Sequence, residues 1–214
     1  MQIIPEIAAQ NIIQVGINRL KDKREYFDEI FCYLVDNPFM NIRYGKAWVD
    51  KQWNWFTQTK IRVLQSYSLS SQTVPSYSIK ISSESEDVSK ASINDGYGFD
   101  DNGNELGIAA FSCAISIGIH ADKSADQVIV MKRILNYILF KEKSLAQDFG
   151  VEIQTVSTSP HQKDDFKFPE NIYSMYTTLS VIFFNTWRQY DATGPYDLET
   201  GLILENLKNE QVPV

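Results

Sequence analysis

Apolar residues change their spacing several times along the chain, and each change marks an element boundary. Ala9, Ile13, Ile17 and Leu20 recur at helical spacing behind Pro5, whose fixed φ suits a first helical turn, so residues 5–20 are expected to form a helix. A basic knot follows, Lys21-Asp22-Lys23-Arg24. Phe27, Ile30, Phe31 and Leu34 then repeat at i, i+3, i+4, i+7, and Asn37-Pro38 is expected to stop that helix. A third helix is expected from about Gly45 to Thr57, with Val49, Trp53 and Phe56 on one face and Trp48 and Trp55 on a neighbouring one.

The period then drops to two. Ile61 and Val63, running on to Tyr67, read as one strand, and Tyr77, Ile79 and Ile81 as another. Residues 82–106 break the pattern and are expected to be a long loop, or two short strands with a polar excursion. From Ala109 to His120, Cys113, Ile115, Ile117 and Ile119 face one way and Ala114, Ser116 and Gly118 the other. Ser124-Ala125-Asp126-Gln127 has the look of a capping box. It opens the strongest helical stripe, Val128, Met131, Leu135, Ile138, Leu139, Leu145 and Phe149, ending at Gly150. Strands are expected at Val151 to Thr158 and from about Ile172 to Arg188. The second is apolar on both faces, as for a central strand or one that reaches a neighbouring subunit. The end of the chain, around Thr200-Gly201, reads as a small hairpin or an extended arm.

This order predicts an α+β single domain over 1–214. Residues 1–58 form an N-terminal helical region, 59–188 an α/β core and 189–214 a C-terminal arm. At 214 residues the chain can bury a core without disulfides or metals. The start lacks the basic and apolar signature of a signal peptide, and no segment has the ~20 apolar residues of a membrane span, so a soluble protein is expected. Cys32 and Cys113 both sit in apolar patterns and are expected to be buried thiols, suited to a reducing compartment.

The chain offers little recognisable chemistry. His120 ends a strand and His161 lies in a polar segment, neither with a metal-ligand partner at helical or turn spacing. Asp100-Asp101-Asn102-Gly103-Asn104-Glu105 partly mimics a calcium loop. Its sixth position is Glu105 instead of glycine and its twelfth is Phe111, so a tight turn at Gly103 is the better reading. No catalytic residue, metal ligand or cofactor is assigned, and no enzyme activity is expected.

Charge distribution says more. The net charge of −7 argues against a general nucleic-acid binder. Residues 41–62 nevertheless carry five basic groups and one acid, interleaved with tryptophans, while residues 82–106 carry seven acids and one lysine. The basic, aromatic span reads as core and interface before it reads as a base-stacking platform. Complementary patches meet either within a fold or head to tail between neighbours, the contact that closes rings. Candidate subunit-interface residues are therefore Arg43, Lys46, Lys51, Trp48, Trp55, Glu84, Glu86, Asp87, Asp100 and Asp101.

One family fits the order of these features. A strand containing Val74-Pro75-Ser76-Tyr77-Ser78-Ile79-Lys80-Ile81-Ser82-Ser83-Glu84-Ser85-Glu86 precedes a strand ending near His120. The helix Val130-Met131-Lys132-Arg133-Ile134-Leu135-Asn136-Tyr137-Ile138-Leu139 follows, and last comes a strand with Glu170-Asn171-Ile172-Tyr173-Ser174-Met175-Tyr176. Over residues 60–188 this resembles the tail-terminator and tail-completion (neck) proteins of tailed bacteriophages. The resemblance implies a mixed, mainly antiparallel sheet packed by one long helix. It also implies a homo-oligomeric ring, commonly a hexamer, in the virion at the tail or neck. Such a ring would be assembled in the host cytoplasm beside tube, sheath and connector proteins, with DNA passing through its lumen without specific binding. It carries over no catalytic residue, cofactor or membrane contact. The extra N-terminal helices and the 191–214 tail exceed a minimal terminator, which keeps the neighbouring completion ring open. Two other classes remain: an enzyme with a scattered site, and a nucleic-acid-binding accessory protein using the 43–62 patch.

Overall fold

A computed structural model describes residues 3–65, 74–91, 95–99, 103, 105–122, 124–141, 143–158 and 172–188. The first helix, α1, runs Pro5–Asp22 and buries Ala8, Ala9, Ile12, Ile13, Gly16, Ile17 and Leu20, so its apolar stripe is the expected one. Helix α2 spans Arg24–Asp36 and buries Phe27 and Phe31. Asn37-Pro38 ends α2 and also starts a further turn of helix, α3, at Pro38–Asn41. The Asn37 side chain accepts hydrogen bonds from the N–H groups of Phe39 (3.0 Å) and Met40 (3.2 Å), while proline takes the first helical position. Helix α4, Lys46–Gln58, buries Val49, Gln52 and Phe56.

The strands are β1 (Arg62–Gln65), β2 (Ser76–Glu86), β3 (Asp95–Phe99), β4 (Glu105–Ala121), β5 (Val151–Thr158) and β6 (Tyr173–Arg188). Among the described residues they form one mixed sheet in the order β1-β2-β4-β6-β5, with β3 also paired to β4. β1 is parallel to β2, with Arg62 opposite Ser76; β3–β4 and β5–β6 are antiparallel. Ser78 lies beside His120 and Ser82 beside Ala114, so β2 and β4 are also antiparallel. The expected α+β class and mainly antiparallel sheet are therefore present.

Two strand boundaries differ from the sequence reading. Of the two readings of residues 82–106, strands with a polar excursion is the nearer, because β2 continues to Glu86, β3 spans Asp95–Phe99 and β4 begins at Glu105. Along Ser82 to Glu86 every side chain is exposed, so no alternation remains to reveal the strand. Within the helix expected from 125 to 149, the described residues are helical over α5 (Ala125–Lys141) and α6 (Lys143–Asp148). Gly150 ends α6 with φ +76°, a left-handed conformation that glycine adopts without strain.

Among the described residues, contacts gather into two units: those within 3–85 with those within 112–183, and those within 86–111 with those within 184–188. In the larger unit α1 packs on α5 and β1, α2 on α1, α4 and α5, and α6 on β5. One sheet face supplies Tyr77 and Ile79 from β2, Cys113, Ile115, Ile117 and Ile119 from β4, and Leu179, Val181 and Phe183 from β6, all buried. Each such aliphatic side chain contributes about 1.5–3 kcal/mol when removed from water. The Tyr77 hydroxyl donates to the Met131 carbonyl of α5 at 2.7 Å, placing this face under α5. The opposite face carries small polar residues, among them Ser76, Ser78, Ser116, Gly118, His120 and Ser174. In the smaller unit Asp87 N–H and the Ala110 carbonyl bond at 2.8 Å, and Gly107 leaves space that the Trp187 indole fills.

α1 crosses α5 at Gly16, where a Cβ would lie 2.5 Å from the nearest Ile138 side-chain atom. Ile138 is buried and cannot retreat into solvent. Gly16→Ala is expected to cost about 1–3 kcal/mol, a fall of several degrees in Tm by calorimetry. An unchanged Tm would mean that the helix crossing is loose.

Candidate interaction surface

The basic, aromatic span 41–62 folds mostly into α4 and the turn before it. Phe27 of α2 is the hub of an aromatic cluster, with ring centroids 4.8 Å from Phe31, 5.2 Å from Trp53 and 5.6 Å from Phe56. Trp48 meets Phe31 edge-on at 5.9 Å and Tyr44 at 5.4 Å, and its indole N–H points at an Asp126 carboxylate oxygen 3.4 Å away on α5. The tryptophans are thus half-buried and used internally: Trp53, expected in the core, sits at its rim under the Arg24 guanidinium. Trp55 is half-buried as well. Arg24 joins α2 to α4 by pairing with Asp50, and it reaches Asp28 at 3.2 Å; hydrogen bonds to these carboxylates, Asp50 first, raise its already high pKa.

Of the interface candidates, Arg43, Lys46 and Lys51 are exposed, and the Arg43 guanidinium lies over the Tyr44 ring at 5.2 Å. Glu84 and Glu86 are exposed on the last stretch of β2. Asp87 is used locally. One of its carboxylate oxygens accepts from the Ser89 hydroxyl at 2.6 Å and from its N–H at 3.3 Å, capping the turn that leads to Ala91. Asp100 and Asp101 lie outside the described residues, as do His161 and the 191–214 arm. The basic span belongs to the larger unit and residues 86–106 to the smaller.

Two features were not legible beforehand. The first is a groove of about 370 Å³ formed by α2, α3, α4 and the start of α5. Ile30, Phe31, Tyr33, Leu34, Met40, Tyr44, Trp48 and Ile129 line it, with Asp126 and Arg133 as its charged members. Apolar side chains stand exposed in and beside the same helices: Ile42 87%, Phe39 83%, Tyr33 59% and Ile129 43%. A cluster of this kind on a folded surface marks a contact site more often than chance exposure does. The apolar run Phe39-Met40-Asn41-Ile42 directly after Asn37-Pro38 was the available signal.

The second is the environment of His120. Its ring is completely buried; Nε2 lies 2.9 Å from Ser78 Oγ and Nδ1 2.8 Å from Ser174 Oγ, tying β2, β4 and β6 together. Both hydroxyls can donate or accept, so the trio satisfies either imidazole tautomer. Gly118 keeps the space open, because a Cβ there would collide with Ser78 Oγ and the His120 ring. The arrangement has the composition of a nucleophile and base, but it is sealed in the sheet and serves as a structural tie. Another cleft, of about 400 Å³, holds Arg19, Lys23 and Lys141 beside Tyr26 and Tyr137. Arg19 and Lys141 lie in the last turns of α1 and α5, where cations complement the helix dipole. Among the described residues no cluster of histidine, cysteine or carboxylate groups could hold a metal ion, and no helix is long and apolar enough to cross a membrane.

Cys113 is buried as expected, but Cys32 is exposed. Phe27 and Phe31 turn the inner stripe of α2 toward α4, and Cys32, one residue on, is rotated by about 100° onto the outer face. Burial pushes the Cys113 thiol up to about 12, with the Glu84 and Glu6 carboxylates adding to the shift.

Two tests follow from these geometries. His120→Leu leaves two buried hydroxyls without their partner and should cost about 2–4 kcal/mol in chemical denaturation; Gly118→Ala should damage the same tie. Stability unaffected by His120→Leu would show the trio to be incidental. At pH 8 a thiol reagent should label Cys32 at once and Cys113 only after unfolding. The unfolded Cys113 thiol ionises above about pH 8.5 while the folded one stays protonated. The folded state then holds the extra proton, so stability should fall as pH rises from about 8.5 toward 12, by at most ~1.4 kcal/mol per pH unit. Cys113→Ala should remove that component of the slope.

No protein-family model matches the chain, and a search of curated proteins finds no match either.

Proposed function

We propose that this chain is a virion structural protein of tailed bacteriophages, which assembles with copies of itself into a ring at the head–tail junction. There it terminates or completes the tail and stabilises the neck. The observation that carries this reading is the element order. A proline-led strand, a long strand ending just past His120 at Ala121, one long helix and two closing strands contribute to a single mixed sheet with α5 across one face. That is the architecture implied by the resemblance of residues 60–188 to terminator and completion proteins.

The surface is compatible with such a role. Exposed cations at Arg43, Lys46 and Lys51 and exposed carboxylates at Glu84 and Glu86 give one chain two kinds of patch, as head-to-tail ring contacts require. An overall charge of −7 would let DNA pass through a lumen without sticking, since like charges repel. Tube, sheath and connector proteins are the partners this placement calls for.

Solution mass by light scattering, across protein concentration and at low and high salt, is the test. The expected result is one discrete oligomer near six or about twelve subunits that caps isolated tail tubes. Its loss at high salt would assign the contact to the charged patches. A strict monomer that fails to cap tubes would overturn the reading.

A further inference from the structure

The groove between α2, α3, α4 and α5 has the wrong chemistry for an ordinary solvated surface. Its floor is Phe31, Met40, Tyr44, Trp48 and Ile129. Asp126 is occupied by the Trp48 indole, whereas Arg133 is exposed and makes no ion pair among the described residues. A second exposed cation, Arg43, is stacked on Tyr44. What fits is a segment with an apolar centre and carboxylates on either side.

The chain contains one such segment beyond the described core. After Arg188, residues 189–214 carry five acids and one lysine, and Leu202-Ile203-Leu204 is bracketed by Glu199 and Glu205. Residues 66–73 carry no charge, and residues 159–171 mix lysines with acids around two separated phenylalanines, so neither has this pattern. Twenty-six residues can span up to ~90 Å when extended, enough to reach a neighbouring molecule. We propose that the groove is the docking site for the 189–214 segment of a second copy, with Leu202-Ile203-Leu204 on its apolar floor and Glu199 and Glu205 facing Arg133 and Arg43. Placing the segment on a second copy, not on its own chain, rests on the ring reading above. An arm in trans makes each contact heterologous, the type that closes a ring.

The test uses full-length protein in a Cys32→Ser background. Ile129→Cys in one tagged population and Ile203→Cys in another are mixed and oxidised, and light scattering of the unmodified chain is run alongside. Ile129 is half-exposed, so its replacement spares the core. The expected result is a disulfide-linked pair made of one chain of each kind. In addition, Arg133→Glu should weaken self-association roughly tenfold at low salt, and Glu199→Arg or Glu205→Arg in the same chain should restore it. Rescue distinguishes a specific contact from a folding defect. If the unmodified chain forms its oligomer but no mixed disulfide appears and Arg133→Glu changes nothing, the groove assignment is overturned and the ring survives. If a chain carrying both cysteines closes only on itself while the unmodified protein stays monomeric, the second-copy occupant and the ring reading both fall.

Discussion

The fold depends on one asymmetry, that β2 and the second half of β4 are apolar on the face toward α5 and small or polar on the other. Cys113, Ile115, Ile117 and Ile119 of β4 must leave water, and α5 and α1 are the elements whose stripes can cover them. Those two helices can lie side by side because Gly16 lets α1 approach the Ile138 side chain without a Cβ between them. The Tyr77 hydroxyl fixes β2 to α5 by satisfying a Met131 carbonyl oxygen in a region where an unpaired polar group is costly. On the other face the same strands are joined by hydrogen bonds through His120. Hydrophobic burial holds the helices down, while polar bonding sets which strands are neighbours.

Once α1 and α5 are committed to the sheet, the remaining helical region has to build its own small core. It does so with rings: Phe27, Phe31, Trp53 and Phe56 gather between α2 and α4, and Trp48 links that cluster to α5 through Asp126. Aromatic side chains bury large areas with few residues, which suits helices of 13 residues that have a single inner stripe. The cost of this economy is an outer surface where Tyr33, Phe39 and Ile42 stand largely exposed. The groove is therefore a by-product of how the helical layer is made, and a site of assembly only if something apolar returns to it.

Most of the fold was written in spacing. The i, i+3, i+4, i+7 pattern of α2 and the alternation in β4 each follow from which side faces the core, and Val151 to Thr158 came out with both ends correct. What was hidden is instructive. The Ser/Glu end of β2 has both faces in water, so periodicity had no gradient to record. Cys32 looked buried because its neighbours in sequence are apolar. The His120 tie joins residues 42 and 54 positions apart, and nothing local signals that β2 and β6 flank β4. Of the interface candidates, the exposed cations and Glu84 stand where a partner could reach them, whereas Trp48 and Asp87 are engaged in internal contacts.

Charge and apolar surface divide the work differently in a ring than in a twofold dimer. A twofold contact needs one self-complementary patch, whereas a head-to-tail contact needs two unlike patches on each copy. Cations exceed acids by four in residues 41–62, while acids exceed cations by six in residues 82–106 and by four in residues 189–214. On the ring reading a copy would present itself to its neighbour as unlike to unlike, with like faces repelling. Such steering governs how fast copies meet and in which orientation, and salt erases it over a Debye length of about 8 Å. Persistence of the contact has to come from desolvation, which on this surface is available in the groove lined by Phe31, Met40, Trp48 and Ile129. On the ring reading the two act in sequence: charge selects the head-to-tail encounter, and an apolar segment seated between two cations keeps it.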